Sequence, residues 1–488
     1  MKQVTTIFAI LVGFTMSAQV GIGTSSPNAA AALDVVSTSK GLVPPRMTAA
    51  QRNSISNPPA GLMLWCNDCG TDGQLQVYNG SEYTNIIGGS RLLSNVYSQL
   101  GGDIDGEAAN DNSGWSASLS SDGTIVAIGA VNNDGNGSNS GQVRVYQYAS
   151  STWSQLGSDI DGEAANDNSG YSVSLSSDGT IVAIGAIYND GNGSNSGHVR
   201  VYQYASSTWS QLGSDIDGEA AGDQSGVALS LSSDGVTLAI GARWNSGNGS
   251  YSGHVRVYQY ASSTWSQIGS DIDGETSSNW SGCSVSLSGD GTTVAIGSTH
   301  NDNNTYTDAG HVRVYQYASS AWSKLGNDID GLSSYESAGF SVALSDDGTI
   351  VAVGAPDSHG GNGSYSGGVR VYQYASSTWS QLGSDIDGEA ASDKEGYSVS
   401  LSSDGTIVAI GAVHNDGNGS NSGQVRVYQY ANSTWSQLGS DIDGEAANDK
   451  SGFSVALSDD GTIVSIGTPY NGGNGSNSGH VRVYAIQL

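Results

Sequence analysis

The sequence is poor in what would build a helical, a disulfide-stapled or a nucleic-acid-binding protein. Its 488 residues include 3 Cys, 4 Met, 4 Phe and 7 Pro, and 16 Lys and Arg stand against 46 Asp and Glu, for a formal net charge of −30. Three cysteines cannot staple a chain of this length. So few cations leave no basic stripe to neutralise phosphates, which excludes nucleic acid as a partner, and the same charge excludes an anionic membrane surface. Leu, Lys and Glu do not recur at helical spacing, and past the first 18 residues no stretch is apolar enough for a membrane-spanning helix.

What is abundant is glycine, 70 residues of it, set among short stretches of Val, Ile, Thr and Tyr. Such stretches, punctuated by Gly, Asn, Asp and Ser, predict an all-β chain. They also repeat. Trp153-Ser-Gln-Leu-Gly-Ser-Asp-Ile-Asp161 or a close variant returns from residues 209, 265, 322, 379 and 435, and a first copy starts at Tyr97. Each copy holds four strand candidates, which in the second are 153–160, 171–176, 180–186 and 198–204, with an Asp178-Gly179 hairpin signal between the second and third. Seven copies of a four-stranded antiparallel unit predict a seven-bladed β-propeller over residues 97–488. The last copy runs out after Val481 to Tyr484, so the strand at 97–104 is expected to pair with 481–484 and close the ring, leaving no free sheet edge. Strand alternation then puts the short turns on one face and the long loops, rich in Asp and Glu, on the other.

The N-terminal region is different. Lys2, an apolar run from Ile7 to Phe14 and small Ser17 and Ala18 read as a signal peptide over 1–18, so the mature chain is expected to be secreted, extracellular or at the cell surface. Residues 19–86 carry five of the seven prolines and read as a small module, followed by a linker over 87–96. Cys66 and Cys69 lie close enough for a local disulfide, and no nearby Cys or His pair completes a zinc site. Cys283 takes a position filled elsewhere by Trp115, Tyr171, Val227, Phe340, Tyr397 and Phe453 and is expected to be a buried small apolar residue.

The run Gly339-Phe-Ser-Val-Ala-Leu-Ser-Asp-Asp-Gly348-Thr-Ile-Val-Ala-Val-Gly354-Ala-Pro356, with weaker echoes in every copy, resembles an FG-GAP repeat, the blade unit of integrin α-type propellers and of bacterial surface proteins. Val20-Gly-Ile-Gly-Thr-Ser-Ser-Pro27 and Gly41-Leu-Val-Pro-Pro-Arg-Met47 are similar to leader modules of bacterial secreted and fibre-like proteins. The first resemblance implies an adhesion or binding propeller. The chain departs from it where many members hold Ca²⁺ between the first two strands: here that connection is only Ser-Asp-Gly, too short to wrap a cation.

Two sets of site residues follow. Clustered carboxylates Asp159, Asp161, Glu163, Asp215, Asp217 and Glu219, with their repeat equivalents, are candidate Ca²⁺ ligands or solvated acidic turns. Residues where the copies diverge, Arg243, Trp244, Trp280, His300, Tyr306, Tyr335 and His359, fall on the long-loop side and form a candidate ligand-binding sector. The repeated Arg and Trp read as structural, and His198, His254, His311 and His480 share their position with Gln and Gly, which argues against catalysis or metal ligation there. Seven similar blades offer no singular nucleophile, acid and base, so the expectation is not an enzyme. A secreted binding or adhesion propeller engaging a protein or glycan leads; a structural surface component is the alternative, and a propeller-fold hydrolase or lyase trails both.

Overall fold

The computed structural model describes residues 20–22, 33–35, 43–69, 74–78, 80–81, 83–85, 96–303 and 305–488. The expected signal peptide and residues 87–95 of the expected linker lie outside these. The chain divides into two compact units, Met1–Leu93 and Ser94–Leu488.

In the first unit Val20–Ile22 pairs in parallel with Leu33–Val35. A four-stranded sheet runs Arg46–Met47, Met63–Cys66, Gln74–Tyr78, Tyr83–Asn85. Helix Ala49–Asn53 opens with a capping box between Thr48 and Gln51, which satisfies two of the amides that a helix start leaves free. Arg52 reaches the sheet, donating to Gln76 Oε1 at 2.7 Å and lying over the Tyr83 ring. Cys66 and Cys69 are joined by a disulfide with Cα atoms 5.5 Å apart.

The second unit is the propeller. In blade 2 the order from the axis outward is Ser169–Leu175, Ile181–Ala186, His198–Ala205, Thr208–Gln211, and Ile216–Asp217 also pairs with the third strand. The same order recurs in every blade. The ring closes as the repeat phase requires: Tyr484 pairs with Gln99, Ile486 with Tyr97, and Val481 with Ile104. One parallel bridge ties each blade to the next, from Gly141 to Ser169 through to Ser113 with Gly479 across the closure.

The outer strand differs from the single run expected. It is two pieces, Thr152–Gln155 and Ile160–Asp161 in blade 1. Gly157 between them has φ +78°, and a Cβ there would stand 2.8 Å from Trp209 of the next blade. The break is therefore where the neighbouring indole comes closest. Val96, expected in the linker, is buried in the propeller, and its carbonyl accepts the Gln487 amide at 2.9 Å.

The core lies between blades. Ile125, Ala127, Val143 and Val145 of blade 1 pack on Leu175, Val182, Ile184 and Trp209 of blade 2. These central strands are apolar on both faces because both faces are covered. The Trp of each outer strand seals the rim of this core: Trp209 Nε1 donates to Leu156 O at 2.7 Å, and Trp153, Trp265, Trp322, Trp379 and Trp435 make the same bond to the preceding blade. At the closure Tyr97 takes their place, its hydroxyl donating to Leu438 O. On the short-turn face Asp178 accepts from Ser176 Oγ at 2.7 Å and from the Thr180 amide at 2.9 Å. Burial alone would raise this carboxyl, but the hydrogen bonds from Ser176 and Thr180 outweigh it and hold the group below its ordinary value. The turn consumes its own carboxylate.

Candidate binding site at the channel mouth

In blade 2 Gly170, at φ +86°, sits where the inner strand slips register between Ser169 and Ser172. This bulge leaves Tyr171 beside the axis rather than between blades. The slip recurs in blades 1, 4 and 6, and in every blade the residue after the glycine lies here, so Trp115, Tyr171, Val227, Cys283, Phe340, Tyr397 and Phe453 together line the channel. Five rings touch in sequence: Tyr171 and Trp115 (centroids 5.7 Å), Trp115 and Phe453 (4.6 Å), Phe453 and Tyr397 (5.0 Å), Tyr397 and Phe340 (4.9 Å). Cys283 corrects an expectation: it is half-buried and lines the channel instead of filling a blade interior. Burial pushes its thiol above the ordinary value, the reverse of an activated nucleophile.

The two small members of the ring, Val227 and Cys283, leave room that the divergent loops fill. A cavity of about 380 Å³ here is lined by Arg243, Trp280, His300, Ser337 and Asp357 besides the ring itself. Trp280 stacks on His300 with centroids 3.9 Å apart. The Arg243 guanidinium lies 5.4 Å from the Trp244 ring and donates to Gln224 Oε1 at 3.3 Å, while its Nε is buried without a hydrogen-bond partner. Asp357 is paired with Lys394 and accepts from Ser337. Chemically this is an aromatic cup with one cation on its wall and an unspent donor.

Of the seven predicted ligand-binding residues the structure brings Arg243, Trp280 and His300 into this one cavity, with Trp244 behind Arg243. Tyr306 lines a separate cavity with Glu275 and His311. Tyr335 is exposed, and His359 packs on Tyr365, 4.8 Å away. The aromatic ring was missed as a site because in sequence it reads as one apolar residue per strand; its position one residue after a glycine, Gly114, Gly170 and their equivalents, was the available signal.

The predicted metal ligands do not gather within one loop. Asp159 accepts from Gln155 Nε2 at 2.6 Å. The Asp161 carbonyl accepts from Arg200 Nη2 at 2.7 Å, and its carboxyl is raised by burial and then by Asp159 and Glu107. Glu163 instead faces the next blade, 3.6 Å from Arg200 Nη1 and 3.7 Å from His198 Nδ1. Asp215 meets Glu163 around His198, and Glu219 stands likewise at His254 with Asp271; Asp217 belongs to neither group. Burial, and after it the adjacent Arg256, lowers His254 to about 4, so its imidazole is neutral at neutral pH.

These features define a closed seven-bladed β-propeller with a lined channel mouth on its long-loop face. In sequence, residues 160–202 and 386–428 match the FG-GAP repeat family. Residues 21–102 match the phage tail like trimerisation region, a match that runs into the strand closing the ring. Among solved structures the chain is similar to hydrazine synthase of Kuenenia stuttgartiensis, at 13% identity and a TM-score of 0.48, over 78% of this chain and 96% of that one. No curated protein matches it.

Proposed function

We propose that the chain is an extracellular, non-catalytic binding propeller that engages a protein or glycan with its long-loop face, the channel mouth being the point of contact. The observation that carries this is the convergence of Arg243 and Trp280, two residues found in no other copy, with His300 on one aromatic-walled cavity. Aromatic faces with a single planar cation suit a sugar ring or a side chain bearing a carboxylate. The raised Cys283 thiol supports binding over catalysis, since it is the cavity's one thiol and is held protonated. The match of residues 21–102 to a trimerisation region supports presentation of three propellers together, which multiplies weak contacts.

The test is an array of glycans and extracellular proteins probed with the full chain and with R243A and W280A. Binding that falls at least tenfold in both variants is expected. Equal binding by wild type and both variants would move the ligand away from the mouth, and the structural reading would take over if the wild type bound nothing on the array.

A further inference from the structure

At four joints of the propeller a histidine sits between two carboxylates of fixed orientation. His198 opens the third strand of blade 2 and is buried, its side chain 2% exposed, whereas Glu163 beside it is 42% exposed and open to solvent. The groups are Glu163, His198 and Asp215; Glu219, His254 and Asp271; Glu275, His311 and Asp328; and Glu445, His480 and Asp103, each with its ligand atoms within 4.8 Å of one another.

In each group one oxygen of either carboxylate is held by a neighbouring side chain and the other lies on the histidine side, where Glu275 and Glu445 also accept from Asn301 and Asn471 at 3.5 and 3.4 Å. Arg200 lies 3.6 Å from Glu163 Oε1, while Oε2 faces His198 Nδ1 at 3.7 Å. Arg256 and Arg482 treat Glu219 and Glu445 alike, with Oε2 3.8 and 3.9 Å from the imidazole nitrogen. Gln211 and Gln267 hold Oδ1 of Asp215 and Asp271 at 2.6 and 2.7 Å, Lys324 holds that of Asp328 at 2.8 Å, and Gln99 that of Asp103 at 2.6 Å. At His480 the second oxygen of Asp103 is 3.8 Å from Nδ1. The inner nitrogens of His311 and His480 are buried with no hydrogen-bond partner. Thus a buried imidazole stands beside two oriented carboxylates, its Nδ1 3.7–3.9 Å from the glutamate at His198, His254 and His480, and hydrogen-bonds to neither. Outer groups that orient inner ones in this way are the usual architecture of a metal site.

The remaining copies act as internal controls. Where the histidine is glutamine, the amide bridges directly to the glutamate: Gln142 Nε2 to Glu107 at 2.9 Å, Gln424 Nε2 to Glu389 at 3.1 Å. Where the histidine is Gly368, the glutamate is gone too and Leu332 stands in its place. Histidine occurs only where the glutamate is present, and glutamine in its place spans to that glutamate directly.

We propose that each of these four joints binds one divalent transition-metal ion of the zinc type through the histidine Nδ1, the glutamate and the aspartate, with the fourth position open to solvent or to a ligand. A zinc ion with legs of about 2 Å wants ligand atoms about 3.4 Å apart in a tetrahedron; the histidine–glutamate edge is 3.7, 3.8 and 3.9 Å at His198, His254 and His480 and every edge lies within 4.8 Å, so the sites close with shifts of a few tenths of an ångström to about 1.4 Å. A nitrogen with two carboxylate oxygens suits zinc, whereas calcium takes six to eight oxygens. The site is not the Ca²⁺ loop of the FG-GAP resemblance, whose place is taken by the short Ser-Asp-Gly turn, and it does not depend on the channel mouth.

The test is zinc chloride titrated into tag-free, chelator-treated full chain by calorimetry, with bound metal counted after dialysis, for the wild type, for H198Q, H254Q, H311Q and H480Q singly, and for all four combined. Glutamine occurs naturally at this position in two blades, so the variants keep the fold. The expected result is four zinc ions per chain, three in each single variant and none in the combined one. The proposal is overturned if zinc does not saturate, if the combined variant binds as much as the wild type, or if calcium fills the sites and zinc fails to displace it.

Discussion

Trp209 Nε1 donates to the carbonyl of Leu156 at 2.7 Å, which joins the outer strand of one blade to that of the next. Six tryptophans and Tyr97 repeat this bond around the ring. Trp209→Phe removes the hydrogen bond and keeps most of the packing, so it is expected to cost about 1 kcal/mol. Trp209→Ala also opens a cavity and is expected to cost about 3–5 kcal/mol. Urea unfolding of both variants checks this, and an unchanged midpoint for the alanine variant would remove the indole from the joint's energetics.

The closure makes a sharper demand. Removing residues 1–93 leaves every propeller strand in place, while removing 1–105 strips the outer strand from His480–Ile486 and exposes its edge. The longer truncation is expected to melt lower and to aggregate, the shorter one to do neither. Light scattering during thermal unfolding separates them; identical behaviour would mean that the terminal pairing does not hold the ring.

Glu395 is fully buried where five other copies have serine, with Arg426 Nη2 at 3.0 Å. Burial raises its carboxyl to about 7, against the opposing pull of Arg426. Because the folded state holds this proton more tightly than the unfolded chain, the contribution is complete below the ordinary value of 4.5 and is lost as pH rises to about 7. Measured as the difference between E395S and the wild type, stability should shift in favour of the serine variant across that window, by on the order of 3 kcal/mol at about 1.4 kcal/mol for each pH unit. A difference that stays flat from pH 4.5 to 7 would contradict the raised value.

Cys283 is the one free thiol among the described residues. Its raised value and the contacts of Sγ with the carbonyls of Gly297 and Gly339, at 3.4 and 3.6 Å, predict slow alkylation at pH 8 in the native protein. One thiol per chain is expected to react fast after denaturation, and three after reduction, since Cys66 and Cys69 are joined. Fast native labelling would show the channel to be more open than it stands here.

Residues 21–102 carry the trimerisation-region match, so sedimentation of the full chain is expected to give three chain masses, and a chain lacking 1–93 to give one. A monomeric full chain would end the multivalent reading and leave the single channel mouth as the binding unit.

The sequence by itself determined the blade count, the strand order and the closure, because each follows from repeat phase and from which short stretches alternate. It also determined which loops share a face, and so that Arg243, Trp280 and His300 lie on one side. Tertiary structure alone decided what meets what across a joint. Glu163, in the loop that follows the outer strand of blade 1, and His198, in the third strand of blade 2, are 35 positions apart, so no strand period relates them; they face each other because the bridge from Gly141 to Ser169 fixes how one blade is set against the next. Tyr171 reads as core, yet the bulge at Gly170 sets it beside the axis, a change of face that hydrophobicity does not record. Local periodicity encodes strands and turns, whereas sites built between repeats depend on the angle and offset of packed sheets.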